Sequence, residues 1–319
     1  MRSNRARGYK DCYVVALYRL VAAREELCAS ELHVGPAQST LAAEDLLRRG
    51  TAEAGSDLPM PRAMVVVAHP DDETIALGAR IERLGEAHFI HVTDGAPRNE
   101  EDSRAHGFEN LDEYRHARAQ ELTGMFRQAG LKRVSRMCLN FRDQEASLNL
   151  SAITLQVARQ IAEHQPEIIV THPYEGGHPD HDSCAFAVHH AVDINRARGG
   201  GRPLVIEAPF YHAGPAGFEV GTFLRYDGWM PEMFYELTDA EMQRKQELVA
   251  CFATQRETLR GFHNLTERFR IAPVYDFTRP PHQGKVLYEN YPWGMSAERF
   301  CQLAEEVEDK LDSVPLRKA

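Results

Sequence analysis

Cysteine pairs, long apolar runs and excess positive charge are all missing from this 319-residue chain. Its six cysteines, Cys12, Cys28, Cys138, Cys184, Cys251 and Cys301, stand far apart and form no C-x-x-C. That pattern reads as free thiols in a reducing cytoplasm rather than a disulfide or thiolate-metal framework. No apolar run approaches the roughly 20 residues a membrane-spanning helix needs. The clean run Ala63–Ala68 is only strand-sized, and no integral membrane segment is expected. The basic N-terminus is soon interrupted by Asp11, Arg19, Arg24, Glu25 and Glu26, which break any signal-peptide apolar region. Acidic residues outnumber basic ones, 47 to 37, for a net charge of −10, so nucleic acid is not an expected partner. No G-x-G-x-x-G follows the first apolar run, so the backbone cradle a dinucleotide pyrophosphate needs is absent too. There is no internal repeat. What remains is an ordinary globular composition, 43% hydrophobic and 26% charged, in a chain long enough to bury a core without staples.

Alternation along the chain predicts an α/β fold, Rossmann-like, with a mainly parallel sheet and helices on both faces. Ala63–Ala68 is a continuous run dominated by β-branched residues, the signature of a strand buried on both sides. His88–Thr93, Val134–Leu139, Glu167–Thr171 and Pro203–Ala208 read as four further strands. Helices are expected at Thr74–Leu84, Leu111–Ala129, Leu150–His164 and Asp182–Asp193, several stopped by glycine or proline. Residues 1–58 read as a helical N-terminal extension, with an amphipathic stretch at 12–32 and a short piece at Leu41–Arg49, either packed on the main domain or partly disordered. Residues 59–319 form the main domain, less regular from about 209. There Phe234–Leu237 reads as a strand, Asp239–Phe252 as a helix capped by Thr238, Ala297–Leu311 as another helix, and Ile271–Trp293 as a long ordered loop.

Two loops carry the chemistry. The first, Ala68-His69-Pro70-Asp71-Asp72-Glu73-Thr74, follows the first strand; the second, running from Thr171 through His178-Pro179-Asp180-His181 to Asp182, follows the fourth. Ligands of parallel α/β sheets sit beyond such strand ends. Histidine and carboxylate are the usual ligands of a borderline divalent metal, zinc (Zn2+) or another transition metal. His69, Asp72 and His181 would supply three ligands and leave a position open. His69 and Asp72 are three apart, so they can face one point while Asp71 points elsewhere, placed to accept a proton. Alone, His69–Glu73 reads equally well as a solvated helix start; together, at two strand ends, the loops read as a metal site.

The paired motifs resemble those of the PIG-L/LmbE-like family of metal-dependent deacetylases, over roughly residues 62–210. Arg118-Ala119-Gln120-Glu121 is similar to that family's R-x-x-E helix, and Asn140-Phe141-Arg142-Asp143 stands where the family has an aspartate after the third strand. The resemblance implies hydrolysis of an N-acetyl or short acyl group from an amino-sugar-containing small molecule or glycoconjugate. It makes His69, Asp72 and His181 the metal ligands, Asp71 the general base, and His178 an imidazolium that stabilises the oxyanion. Asp180 then orients His178 and raises its pKa. Arg98 and Asp143 are the nearest matches to the family's sugar-recognising residues. Thr93-Asp94-Gly95-Ala96-Pro97-Arg98 departs from the family's T-x-G-E-x-G, which leaves the substrate open.

Other residues keep two readings at this level. His172, Glu73 and Tyr174 support either the site or the core. Tyr211 and His212 line the pocket or pack, and Cys184 is a ligand or a buried thiol. His189 and His190 read as packing or surface, and Asn99–Asp102 as a solvated loop. Tyr275, Phe277, Tyr288, Tyr291 and Trp293 form either a sugar-stacking wall or a satellite core. The rival functions are a metal-dependent amidase acting on a non-sugar or thiol-conjugate amide, and a Rossmann-like binding module without catalysis. Oligomeric state is open, a homo-oligomer included.

Overall fold

A computed structural model describes residues 36–131, 134–215, 217–225, 232–262 and 265–313. The expected helix at 12–32 lies outside the described residues. The chain enters at helix α1 (Pro36–Gly50) and continues through strand β1 (Ala63–Val67), helix α2 (Asp72–Leu77), β2 (His88–Pro97), α3 (Glu101–Ala105), α4 (Leu111–Gln128) and β3 (Ser135–Asp143). Then come α5 (Leu150–His164), β4 (Ile168–Thr171), α6 (Pro179–Ala197), β5 (Leu204–Glu207) and a hairpin, β6 (Tyr211–Gly214) with β7 (Gly217–Val220). The last elements are β8 (Glu232–Glu236), α7 (Asp239–Val249), α8 (Arg256–Leu259), β9 (Thr266–Ile271) and α9 (Ala297–Ser313).

Seven strands form one sheet in the order β3-β2-β1-β4-β5-β9-β8. The pairs from β3 to β5 are parallel, and β9 joins β5 antiparallel, as does β8 with β9. The mainly parallel Rossmann-like reading is therefore correct for the first five strands. Side-chain alternation on β1 shows why the run was apolar throughout. Val65 and Val67 join a core with Leu47 of α1, Ile75 of α2, Met125 of α4 and Leu248 of α7. Met64 and Val66 face the opposite core, with Ile153 and Val157 of α5 and Val188 and Ala191 of α6. A third cluster joins Phe300, Ala304 and Val307 of α9 to Phe186, Phe277 and Tyr288.

Three departures from the sequence reading have physical causes. The helix expected over Thr74–Leu84 stops at Leu77, and a short 3-10 turn takes over at Ile81–Leu84. The buried Lys245 ammonium from α7 donates to the Ile75 carbonyl, at 2.7 Å, and satisfies that helix end. The stretch Thr266–Ile271, read as no element, is a sheet strand. Its polar residues are neutralised in place: Glu267 binds Arg80 and Lys245, while Arg270 binds Glu207 and Glu175. Asn99–Asp102, read as a loop, runs into the short helix α3. Thr238 does cap α7, with Glu241 closing a reciprocal capping box.

The connection from β3 to β4 passes to the other side of β1, so the strand order reverses between β1 and β4. The loops leaving those two strands therefore open into one crevice.

Candidate metal centre

Both loops meet as their strand ends require. The Thr93 N–H and hydroxyl both donate to the Ala68 carbonyl, at 2.9 and 3.0 Å, pinning the first loop to β2. His69 Nδ1 lies 3.3 Å from Asp72 Oδ2, and His181 Nε2 lies 3.4 Å from Asp72 Oδ1. One donor atom from each of His69, Asp72 and His181 falls within 4.8 Å of the others. His69 Nε2 meets Asp143 Oδ1 at 3.1 Å, so that carboxylate can take the ring proton and leave Nδ1 as the ligating atom. Burial alone would push His69 down, but Asp143, Asp180 and Asp72 override it and hold the ring well above its usual range. Burial likewise favours a neutral Asp72, and the facing His181 and His172 more than offset it, keeping the carboxyl well below its usual range.

Whether these residues fit a metal is decided by His181. Its Nε2 is buried and has no hydrogen-bond partner in the protein, an arrangement that costs free energy unless something binds there. A second set, His69, Asp143, His178 and Asp180, is as compact. Part of it is already engaged: Asp180 accepts the Gln144 and Ala146 N–H groups at 2.6 and 3.0 Å, and His178 Nδ1 accepts the Asp180 N–H at 3.1 Å. The donor set His69, Asp72 and His181 therefore fits a divalent metal with one carboxylate and two imidazoles.

Asp71 points away from this triad, as its neighbours' spacing implied. Its Oδ2 lies 3.2 Å from both terminal nitrogens of the buried Arg118 on α4. Burial raises its pKa to about 7, with Arg118 opposing the rise. Its backbone is unusual, at φ 138°, a region that L-residues with a Cβ rarely enter. Glu73 supplies the brace: one carboxylate oxygen accepts the Asp71 N–H at 3.1 Å and faces His91 Nε2 at 2.9 Å. Gly95, at φ +63°, makes room for Arg118, because a Cβ there would press on the guanidinium and on Pro70.

At His178, expected as an imidazolium, burial first and then the neighbouring His69 push the pKa down to about 3, with Asp180 opposing. Since Nδ1 accepts the Asp180 N–H, the neutral ring carries its proton on Nε2. The Asp180 carboxylate lies 3.9 Å from His178; it holds the loop after β3 against the second motif and meets His69 Nε2 at 3.3 Å. Arg98 stands at the crevice rim, one residue past the β2 end that pairs with Asp143. Its side chain is 71% exposed and held by Glu145. An exposed ion pair contributes little, so Arg98→Ala should change KM by no more than about fivefold in steady-state kinetics.

The residues left with two readings now separate. His172 is fully buried, accepts the Ala68 N–H at 3.0 Å and stacks on His181 at 3.9 Å. Cys184, on α6, is buried in the core shared with α5, and Tyr174 packs with Phe277 and Phe300. Cys138, Cys184, Cys251 and Cys301 are free thiols. Two residues beyond the motifs also belong here. Arg118 had only a loose R-x-x-E to announce it. The Tyr211 ring sits 5.3 Å from that of His181, close enough for the charges of His69, Asp72, Asp143 and Asp71 to act on its hydroxyl. A Cβ on Gly177 would overlap the Tyr211 carbonyl, so that glycine is what lets the hairpin approach the second motif.

An α/β chain with a two-histidine, one-carboxylate cluster at its topological switch point, flanked by a second buried aspartate, has the build of a metal-dependent hydrolase. Residues 64–192 match the family model for PIG-L, GlcNAc-PI de-N-acetylase, in keeping with the resemblance read from the motifs. No curated protein sequence matches the chain. Among solved structures it is similar to an antimicrobial pseudoaglycone deacetylase, at 19% identity and TM-score 0.51 over 66% of this chain and 96% of that one. A deacetylase of the teicoplanin biosynthesis pathway matches at 17% identity and TM-score 0.51, over 66% of this chain and 96% of that one. N,N'-diacetylchitobiose deacetylase from Pyrococcus horikoshii matches at 19% identity and TM-score 0.51, over 73% of this chain and 89% of that one. At these identities the likeness is one of fold.

Proposed function

We propose that this chain is a metal-dependent N-deacetylase that removes an acetyl or other short acyl group from an amino-sugar-containing substrate. The observation that carries the reading is the bare, buried His181 Nε2, converging with His69 and Asp72 beside a braced Asp71. Zinc, or another divalent transition metal, would be held by His69, Asp72 and His181; bound there it supplies Lewis acidity, polarising the amide carbonyl and making water nucleophilic near neutral pH. The comparisons support the sugar: the matched family model describes a GlcNAc-PI de-N-acetylase, and one similar structure is an N,N'-diacetylchitobiose deacetylase. The chemistry is assigned to the domain from residue 59 onward, with α1 packed beneath its sheet.

In this reading Asp71 takes the proton of the attacking water as the new C–O bond forms. Arg118 keeps its carboxylate aimed. The Nε2–H of neutral His178 donates to the carbonyl oxygen as negative charge grows there, and the Tyr211 ring stands 5.3 Å from that of His181. Asp180 holds His178 in that tautomer through its backbone N–H and is a positioning residue. As the C–N bond breaks, Asp71 returns the proton to the leaving nitrogen. Products are a carboxylate and a primary amine. Asp143 steadies His69, and Arg98 meets substrate at the rim.

The direct test is amine and acetate release by the zinc-loaded chain from a panel of N-acetylated amino sugars and sugar conjugates, beside non-sugar amides. Release from the sugars supports the proposal; release confined to the non-sugar amides moves the site to the amidase reading.

A further inference from the structure

The five aromatics of the segment before α9 do not act alike. Tyr275, Phe277 and Tyr288 are core residues or their neighbours, with Phe277 and Tyr288 almost fully buried. Trp293 packs on the edge of that core and also reaches the second motif, while Tyr291 stands outside the core. The Trp293 ring lies 4.5 Å from the ring of His178, and Tyr291 stacks on Trp293 at 4.5 Å and only 13° from parallel. Tyr291 is 44% exposed. The pair is held rigidly against the second motif. The Leu287 N–H donates to the Gly176 carbonyl at 2.9 Å, and Val286 fills the space that a Cβ on Gly176 would need. The Tyr291 N–H donates to Tyr288, whose ring is anchored in the core.

We infer that Tyr291, backed by Trp293, is a stacking platform for a second ring of the substrate, so that the preferred substrate is an N-acylated amino sugar joined to another pyranose. The inference rests on the deacetylase reading above. An acyl group at the triad puts its own sugar ring beside His178 and Trp293, the aromatic ring that His178 touches. Tyr291 is one ring contact farther out, where the next sugar falls. A pyranose offers a face of C–H bonds carrying partial positive charge, and the aromatic face is negative. The aromatic pair is preformed, so little ordering is needed on binding. Neither residue lies in the motifs that hold the triad, so the platform sets substrate choice without altering the chemistry.

The experiment compares N-acetylglucosamine with its β-linked N,N'-diacetylated disaccharide. The kcat/KM ratio, disaccharide to monosaccharide, is measured for the zinc-loaded wild type, Tyr291→Ala and Tyr291→Phe. Binding is followed separately by quenching of Trp293 fluorescence in an Asp71→Asn, Trp229→Phe chain, which retains Trp293 as its one tryptophan. Tyr291→Ala should lower the ratio by about three- to tenfold, the size of one aromatic stack, while Tyr291→Phe retains it. In the binding assay Tyr291→Ala should weaken the disaccharide by a similar factor. A ratio unchanged in Tyr291→Ala, or a loss shared equally by both sugars, overturns the platform. Absence of hydrolysis of either sugar, with Tyr291-dependent quenching intact, overturns the deacetylase reading and keeps the platform. Absence of both overturns both.

Discussion

Asp71→Asn should lower kcat by between about a hundredfold and ten-thousandfold, the range in which a positioned acid–base group acts. The metal content should stay at that of the wild type, because Asp71 points to Arg118 and not into the triad. Asparagine keeps the volume and one oxygen for Arg118, and it tolerates positive φ better than most residues, so the chain should fold. The measurement is kcat with elemental analysis on the same preparation, and circular dichroism confirms the fold. Near-full turnover in the folded, loaded variant would remove Asp71 from its proposed role and pass the proton transfer to another group.

His181→Ala should behave in the opposite way. It removes the buried nitrogen that makes no hydrogen bond within the protein and faces Asp72 at 3.4 Å, so it should cost nearly all of the metal affinity. Changes beside a ligand already cost 10–100-fold, so loss of the ligand itself should lower activity by more than about a hundredfold. Elemental analysis should find almost no ion bound, and a chelator should bring the wild type to the same rate. Full metal occupancy in His181→Ala would shift the centre to the second cluster around Asp143, His178 and Asp180.

Strands β1 and β4 were legible because each is a short apolar run whose burial on both faces leaves no polar alternation to confuse the reading, whereas β3 is a largely exposed edge strand read from its place between two helices. The triad and Asp71 were legible because acids and histidines crowd two strand ends and little else in the chain resembles them. Other parts depend on partners remote in sequence. Thr266–Ile271 carries three charged residues among its six, and only the folded chain places Arg80, Lys245 and Glu207 to neutralise Glu267 and Arg270. Arg118 is one arginine among several on α4, and nothing local distinguishes it until the helix crosses the sheet to Asp71. The imidazolium expected of His178 rested on the carboxylate two residues on, whereas in space burial and His69 push its pKa down. The aromatic segment gave no local sign of which rings face the core and which face the crevice.

The backbone at Asp71 has a wider consequence. Holding a residue with a Cβ at φ 138° costs about 1–3 kcal/mol, a fair fraction of the margin by which a domain stays folded. Glycine at position 71 would relax that strain, but it would leave the buried Arg118 guanidinium without its carboxylate. Backbone ease and turnover therefore pull in opposite directions at one residue. Substitutions that harden this protein elsewhere should combine freely with activity, whereas those that ease the first loop should not.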